Sequence, residues 1–144
     1  MGFEDFIRGL RNRAEDTAAE LRIGDPASRP LLDEAEKRLG VKFPKEIEEF
    51  YLQCDGLSLS QPAIRVLSLR ELEIDSAKCI GFAMVDNTHR ICLDATDLNA
   101  AGQWSILNQS TGFCISLSIR SFCYNKCFGW IDKRKSIWEV EASA

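Results

Sequence analysis

The sequence has little of what enzymes usually need. Among its 144 residues it contains one histidine, His89. This residue lies between Thr88 and Arg90 in a predicted turn, so we expect an exposed turn histidine and no Cys–His nucleophilic pair. The sequence also has no glycine-rich phosphate loop, no Gly-x-Ser-x-Gly elbow and no His-Glu-x-x-His pair. We therefore expect that the protein is not an enzyme and has no catalytic residues.

Long apolar runs are also missing. No stretch approaches the roughly 20 apolar residues needed to span a bilayer. The first residues, MGFEDFIRGLRNR, mix acids with arginines and lack the basic start and apolar stretch of a secretory signal. Phe6 stands where the N-myristoylation pattern requires Ser or Thr. We expect a cytoplasmic protein that is neither exported nor attached to a membrane.

The sequence has no excess of positive charge. It carries 22 acidic and 18 basic residues, a net charge of −4, and the acidic excess lies in the first two thirds of the chain. Direct binding of nucleic acid needs a basic surface and is not expected. An acidic surface suits a basic protein partner, such as a nuclease domain. Solubility is the other explanation for the same charge.

Six cysteines are many for this length, but without an export signal we expect reduced thiols. Cys54 lies on the apolar face of a predicted helix. Three more lie in strand-like apolar runs, where a thiol behaves as a small buried hydrophobe: Cys79, Cys92 and Cys114.

Cys123 and Cys127 are four residues apart, so a helix would place both thiols on one face. With Cys114 they could form a zinc site, but a second closely spaced pair is missing, and we expect neither a metal nor a cofactor. A redox-sensing function of Cys123 and Cys127 remains an alternative. It would require a depressed thiol pKa and rapid alkylation.

Two short helices are bounded by proline and glycine. Pro30 lies in the first turn of one helix and Gly40 just after its end. Pro44 opens the next helix, and Gly56 follows its end. In both helices apolar residues recur at three- and four-residue spacing, so each has one face to bury.

The rest of the chain predicts one longer helix, several strands and a C-terminal helix. Residues 3–21 form an amphipathic stripe, and an apolar stripe of helical spacing begins near Ser118. Five stretches predict strands: 64–67, 79–85, 90–94, 104–108 and 112–119. Residues 137–140 alternate and fit an edge strand or a docked tail. We predict a single α+β domain over residues 1–144, in which N-terminal helices and a C-terminal helix pack on a mainly antiparallel sheet of about five strands.

The run LLDEAEKRLGVKFPKEIEEFYLQCDG resembles the N-terminal signature of the SUKH superfamily (SMI/KNR-like domain). The strand-like segments and the C-terminal helix follow in a similar order, so the resemblance covers about residues 30–132, with residues 1–24 as an extra N-terminal helix. The sequence departs from the family in the hairpin at 86–89, which is usually glycine-rich and acidic. The superfamily contains bacterial toxin-immunity proteins and a fungal cell-wall regulator, and the resemblance implies that partners bind in the cleft between sheet and helices.

The resemblance implies an immunity protein that occludes a cognate bacterial toxin, polymorphic or contact-delivered. The alternatives are a regulatory scaffold of the SMI/KNR type and the cysteine-based redox protein. Three acids at alternate positions, Glu71, Glu73 and Asp75, would share a face in an extended segment. Other acids lie at predicted strand ends. Trp138 lies near the C-terminus, whereas Trp104 and Trp130 are expected in the core. The predicted partner-binding set is Glu71, Glu73, Asp75, Asp86, Asp94, Asp97 and Trp138.

Overall fold

The computed structural model describes residues 3–136, which fold as one antiparallel sheet with helices packed on one of its faces. Three helices belong to the N-terminal half: α1 (Glu4–Thr17), α2 (Arg29–Leu39) and α3 (Lys45–Gln53). A C-terminal helical segment consists of α4 (Ile119–Ser121), a π-helical stretch (Phe122–Cys127) and α5 (Phe128–Lys133). The predicted α+β fold is confirmed.

Within residues 3–136 the sheet has eight strands, several of them very short, and the segment 137–140, predicted as an edge strand or a docked tail, lies outside the described residues. They are β1 (Leu21–Ile23), β2 (Leu57–Leu59), β3 (Ile64–Val66), β4 (Glu73–Ile74), β5 (Cys79–Val85), β6 (His89–Asp94), β7 (Ile106–Asn108) and β8 (Cys114–Ser116). Their order across the sheet is β1-β2-β3-β5-β6-β7-β8, with β4 paired to β5 beside β3. A 3₁₀ turn (Leu69–Glu71) connects β3 to β4.

The five predicted strands correspond to β3, β5, β6, β7 and β8, and three short strands were not predicted. One of these, β1, lies where a helix was expected to continue. The first helix ends at Thr17 and not at residue 21, because Ala18 adopts a left-handed conformation with φ of 57°. Residues 57–59, expected to be a loop, form β2.

Several predicted helix ends agree with the observed caps. Ser28 accepts a hydrogen bond from the Leu31 N–H, and Gly40 ends α2 in the left-handed region with φ of 72°. Pro44 is the N-cap of α3, and the Ser118 hydroxyl caps α4. Gly129 lies within α5, which continues to Lys133.

Alternation along the strands separates two faces of the sheet. The inner face, which is the face covered by the helices, carries the buried apolar residues, and the face turned away from the helices is called the outer face below. Large aromatic residues from the helices, such as Phe6, Phe50 and Tyr51, complete the core. Trp104 and Trp130 are buried as expected. The sheet contributes Ile64, Val66, Ile80, Phe82, Val85, Ile91, Leu93 and Ile106.

Two local predictions are corrected. Cys114 was expected to be buried but is exposed, because β8 is the last strand of the sheet within residues 3–136 and this position faces outward. His89 was expected in an exposed turn but is the first residue of β6 and half-buried. The turn before it contains Asp86 and Asn87, both with positive φ.

Candidate functional site

Three of the predicted partner-binding acids lie together. Glu71, Glu73 and Asp75 line one cavity of about 260 Å³ on the outer face of the sheet. The 3₁₀ turn and β4 place them beside β5, which runs along the bottom of this cavity. The three acids therefore share one location, as their alternate positions in the sequence suggested, although the segment is only partly extended.

The other four predicted residues lie elsewhere. Asp97 lines a separate groove, and Asp86 lies in the turn between β5 and β6. The Asp94 carboxylate accepts hydrogen bonds from Thr96, from its N–H at 3.1 Å and from its hydroxyl at 2.6 Å. Neither Asp86 nor Asp94 lines the cavity, and Trp138 lies outside the described residues.

Strand register produces a row of side chains across the outer face. Each residue of this row is directly opposite the next on the neighbouring strand, from β1 through β2, β3 and β5 to β6. We call it the arginine row: Arg22, Ser58, Arg65, Met84 and Arg90. Opposite residues of paired strands lie about 4.5–5.5 Å apart, so these five side chains form one continuous band.

A second row explains why the surface is indented. Glu73 on β4 is opposite Gly81 on β5, which in turn is opposite Cys92 on β6. Gly81 has no side chain, and a Cβ built there would meet only Gln109 Oε1, at 3.6 Å. The cavity therefore lies over Gly81, between the arginine row and the acids.

The three carboxylates of the cavity differ in how far they are already engaged. Glu71 accepts hydrogen bonds from the Ser68 N–H at 2.9 Å and from the Ser68 hydroxyl, and it pairs with Arg65. These contacts, with the Ser68 N–H contributing most, lower the pKa of Glu71. Asp75 Oδ1 accepts from the N–H groups of Ala77 and Cys79.

Glu73 and Arg90 are the unengaged charges of the cavity. Both are exposed, and within residues 3–136 neither side chain has a hydrogen bond or an ion pair. Glu73 belonged to the predicted set, whereas Arg65 and Arg90 were missed. The sequence signal for Arg65 was its position between two apolar residues in Ile64–Val66, which indicates an outward-facing side chain. Only the pairing register of β3, β5 and β6 shows that Arg65 and Arg90 align.

A second concave surface lies nearer the helices. This groove, of about 420 Å³, runs between the α2–α3 link and the residues after β6, and it contains Asp97. Val41, Phe43 and Trp104 give it an apolar wall, and Leu98, 60% exposed, forms part of its rim. This groove lies where the α2–α3 link meets the sheet.

The paired cysteines are not arranged for reactivity. Cys123 and Cys127 are buried in the π-helical stretch, and burial, reinforced by a hydrogen bond between the two thiols, raises the pKa of Cys123 well above its usual value. A redox thiol requires the opposite shift and solvent access. Within the described part of the chain, no three His, Cys, Asp or Glu side chains are grouped as metal ligands.

Comparison with known proteins places most of the chain in one family. The SMI1 / KNR4 family (SUKH-1) matches residues 26–136, which include every element from α2 to α5. No curated protein matches the sequence. None of the helices among residues 3–136 has the length and apolar character needed to cross a bilayer.

Proposed function

The chain belongs to the SMI1 / KNR4 family (SUKH-1), and from this membership we propose that it is an immunity protein that binds and neutralises a cognate polymorphic or contact-delivered bacterial toxin. Domains of this family are immunity or interaction proteins and not enzymes. In this proposal residues 1–144 act as one domain in the cytoplasm of the cell that makes the toxin. Occlusion of the toxin by direct contact is the mechanism.

The outer face of the sheet is the observation that carries the proposal. It combines charged side chains with an indentation of about 260 Å³ beneath them. Binding energy at interfaces concentrates where a protruding side chain enters a pocket and excludes water. A cavity of this size on a sheet accepts one or two side chains of a partner, which is the geometry that such an anchor needs.

The sheet also supports a rigid mode of inhibition. Backbone pairing fixes the arginine row and the row through Gly81, and the inner face of the same strands is buried in the core. A preorganised surface loses little conformational entropy on binding. Such a surface inhibits a toxin by covering its active site, without any chemical step in the immunity protein.

The charge of the chain affects how fast it would encounter a partner and which partners it would favour. The chain is acidic overall, with a net charge of −4, and Glu73 projects from the cavity without a partner within residues 3–136. A basic toxin domain, such as a nuclease, would be attracted at long range by this charge. The proposal therefore includes a toxin domain that is basic as a whole.

Growth rescue tests the proposed function. We take the domain encoded beside this gene as the toxin to be tested, express it with and without the chain, and measure growth and direct binding by calorimetry. We expect rescue and a stable complex with the wild-type chain. Failure to bind or to rescue, with both proteins shown to be folded and expressed, contradicts the proposed function.

A charge variant locates the binding surface. Glu73→Lys should weaken the complex, and Glu15→Lys is a matched control on α1, since both residues are exposed and both changes add two positive charges. Equal effects of the two variants would show that total charge, and not the outer face, determines binding.

A further inference from the structure

We propose that the outer face of the sheet recognises a partner segment that carries both signs of charge, with an acidic group against Arg90 and a basic group against Glu73. This inference rests on the proposed function and specifies the partner chemistry of the same cavity. It differs from a purely acidic surface, which the net charge alone would favour.

The cavity has a positive side formed by the arginine row. Arg65 and Arg90 both line it, separated by Met84, which is directly opposite each of them. Arg65 is neutralised by its contact with Glu71. The Arg90 guanidinium lacks a partner within the described part of the chain, and it is exposed. It is therefore free to bind a carboxylate, and a guanidinium does so in a bidentate geometry.

The opposite side of the cavity is negative. Glu73 is exposed on β4 without a partner within residues 3–136. Asp75 Oδ1 accepts hydrogen bonds from N–H groups of the turn that follows it. The two acids follow each other at alternate positions along the edge of β5. A lysine or arginine of the partner could place its aliphatic part over Gly81 and its charged end between these carboxylates.

Strand pairing fixes the backbone positions of the two unengaged residues. Glu73 on β4 and Arg90 on β6 lie on opposite sides of β5, two strand spacings apart and two residues out of register. Adjacent strands lie about 4.8 Å apart and residues rise about 3.4 Å, so their backbones are about 12 Å apart. The complementary segment must present an acidic and a basic group far enough apart to reach opposite sides of β5.

A partner of one sign would fit this surface poorly. Covering the cavity removes water from both charges, and a charge that is buried without a counter-charge destabilises the complex. A uniformly basic segment would satisfy Glu73 but would place like charges against Arg90. The surface thus selects a pattern of charges in addition to a net charge.

Charge reversal at Arg90 distinguishes a surface that recognises both signs of charge from a purely acidic surface. Using the full chain and the toxin domain encoded beside its gene, the dissociation constant is measured for wild type, Arg90→Glu and Glu73→Lys. Two matched controls lie on α1: Arg11→Glu and Glu15→Lys make the same charge changes at exposed positions of the helical layer. Circular dichroism and thermal unfolding establish that each variant is folded.

We expect both outer-face reversals to weaken binding by about tenfold or more, with both α1 controls within about threefold of wild type. A purely acidic surface predicts the contrary for Arg90→Glu, because replacing a positive by a negative charge should strengthen binding to a basic domain. Unchanged or tighter binding by Arg90→Glu overturns this inference and leaves the proposed function standing. No binding by wild type overturns the proposed function and this inference with it.

Discussion

Arg13 on α1 and Asp132 on α5 form a two-point contact between residues 119 positions apart in the chain. Arg13 Nε donates to Asp132 Oδ1 at 2.7 Å, and Arg13 Nη2 donates to Asp132 Oδ2 at 2.9 Å. The same guanidinium lies over the Phe128 ring, 3.8 Å from its centroid. The contact joins α1, which precedes the family match, to the last helix within it.

Asp132→Asn should lower the free energy of unfolding by about 0.5–1 kcal/mol at pH 7, because the pair is partly exposed to solvent. The hydrogen bond from Arg13 lowers the pKa of Asp132 in the folded state. The stabilisation is therefore complete above the unfolded pKa of about 4 and is lost as pH falls through the lower folded pKa. Urea unfolding of both proteins at pH 7 and pH 2.5 measures this, and an equal difference at both pH values would contradict it.

Arg38→Met should destabilise the fold by about 1–2 kcal/mol. Arg38 donates to the carbonyl oxygens of Leu69 and Leu72, at 2.8 Å each, and both of these residues are fully buried. The methionine keeps the apolar part of the side chain but leaves the Leu72 carbonyl without a donor, while the Leu69 carbonyl keeps its bond from the Leu72 N–H. Chemical unfolding measures the loss. The exposed neighbour Lys37→Met is the control, expected within about 0.5 kcal/mol of wild type.

Alanine at Gly56 should be far more damaging than alanine at Gly40. Both glycines have positive φ, 89° and 72°. At Gly40 nothing lies within 4 Å of an added Cβ, so only the left-handed backbone is penalised, by about 1 kcal/mol. At Gly56 the Cβ would lie 2.8 Å from the Val66 carbonyl oxygen, and we expect a loss of at least about 3 kcal/mol. Similar melting temperatures for the two variants would refute the packing argument.

Alkylation of the native protein should label Cys114 first. Cys114 is exposed, whereas burial raises the pKa of Cys54 to about 12 and raises the pKa of Cys123 strongly. Iodoacetamide at pH 8, followed by peptide mass spectrometry, should show Cys123 and Cys127 protected about 100-fold relative to the unfolded chain. Rapid labelling of either residue in the folded protein would restore the redox alternative.

Gly81→Val should weaken binding without lowering the free energy of unfolding. The new side chain would enter the cavity, where its Cβ meets only Gln109 Oε1 at an ordinary contact distance. Valine suits a strand better than glycine, so the free energy of unfolding should stay equal or rise by up to about 1 kcal/mol. Under the proposed function, affinity for the toxin should fall about tenfold because the cavity is filled. Calorimetric titration beside thermal unfolding measures both, and undiminished affinity would exclude this cavity as the anchor site.

The sequence predicted those parts of the fold that have local causes. Helix α2 was bounded correctly because Pro30 and Gly40 act through their own backbone conformations. The end of α1 was missed because Ala18, and not a glycine, takes the left-handed conformation. Strands β1 and β2 have three residues each, too few for alternation to be recognised, and they exist because they pair with each other.

The site was also predictable only in part, because the sequence shows local spacing but not the pairing of distant strands. Glu71, Glu73 and Asp75 are neighbours in the chain, so their shared location follows from local spacing. Arg65 and Arg90 belong to strands separated by β5, and their alignment depends on two pairing registers that connect distant segments. Charge composition identified an acidic protein but could not show that its outer face also presents arginines.

The arginine row takes one residue from each of five strands, and every one of them faces away from the core. A substitution at any of these positions alters the charge pattern while the buried side of the same strand stays as it was. New partner preferences are thus reachable through single changes that spare folding. Two descendants of this protein can diverge in the partners they bind while their backbones remain superimposable.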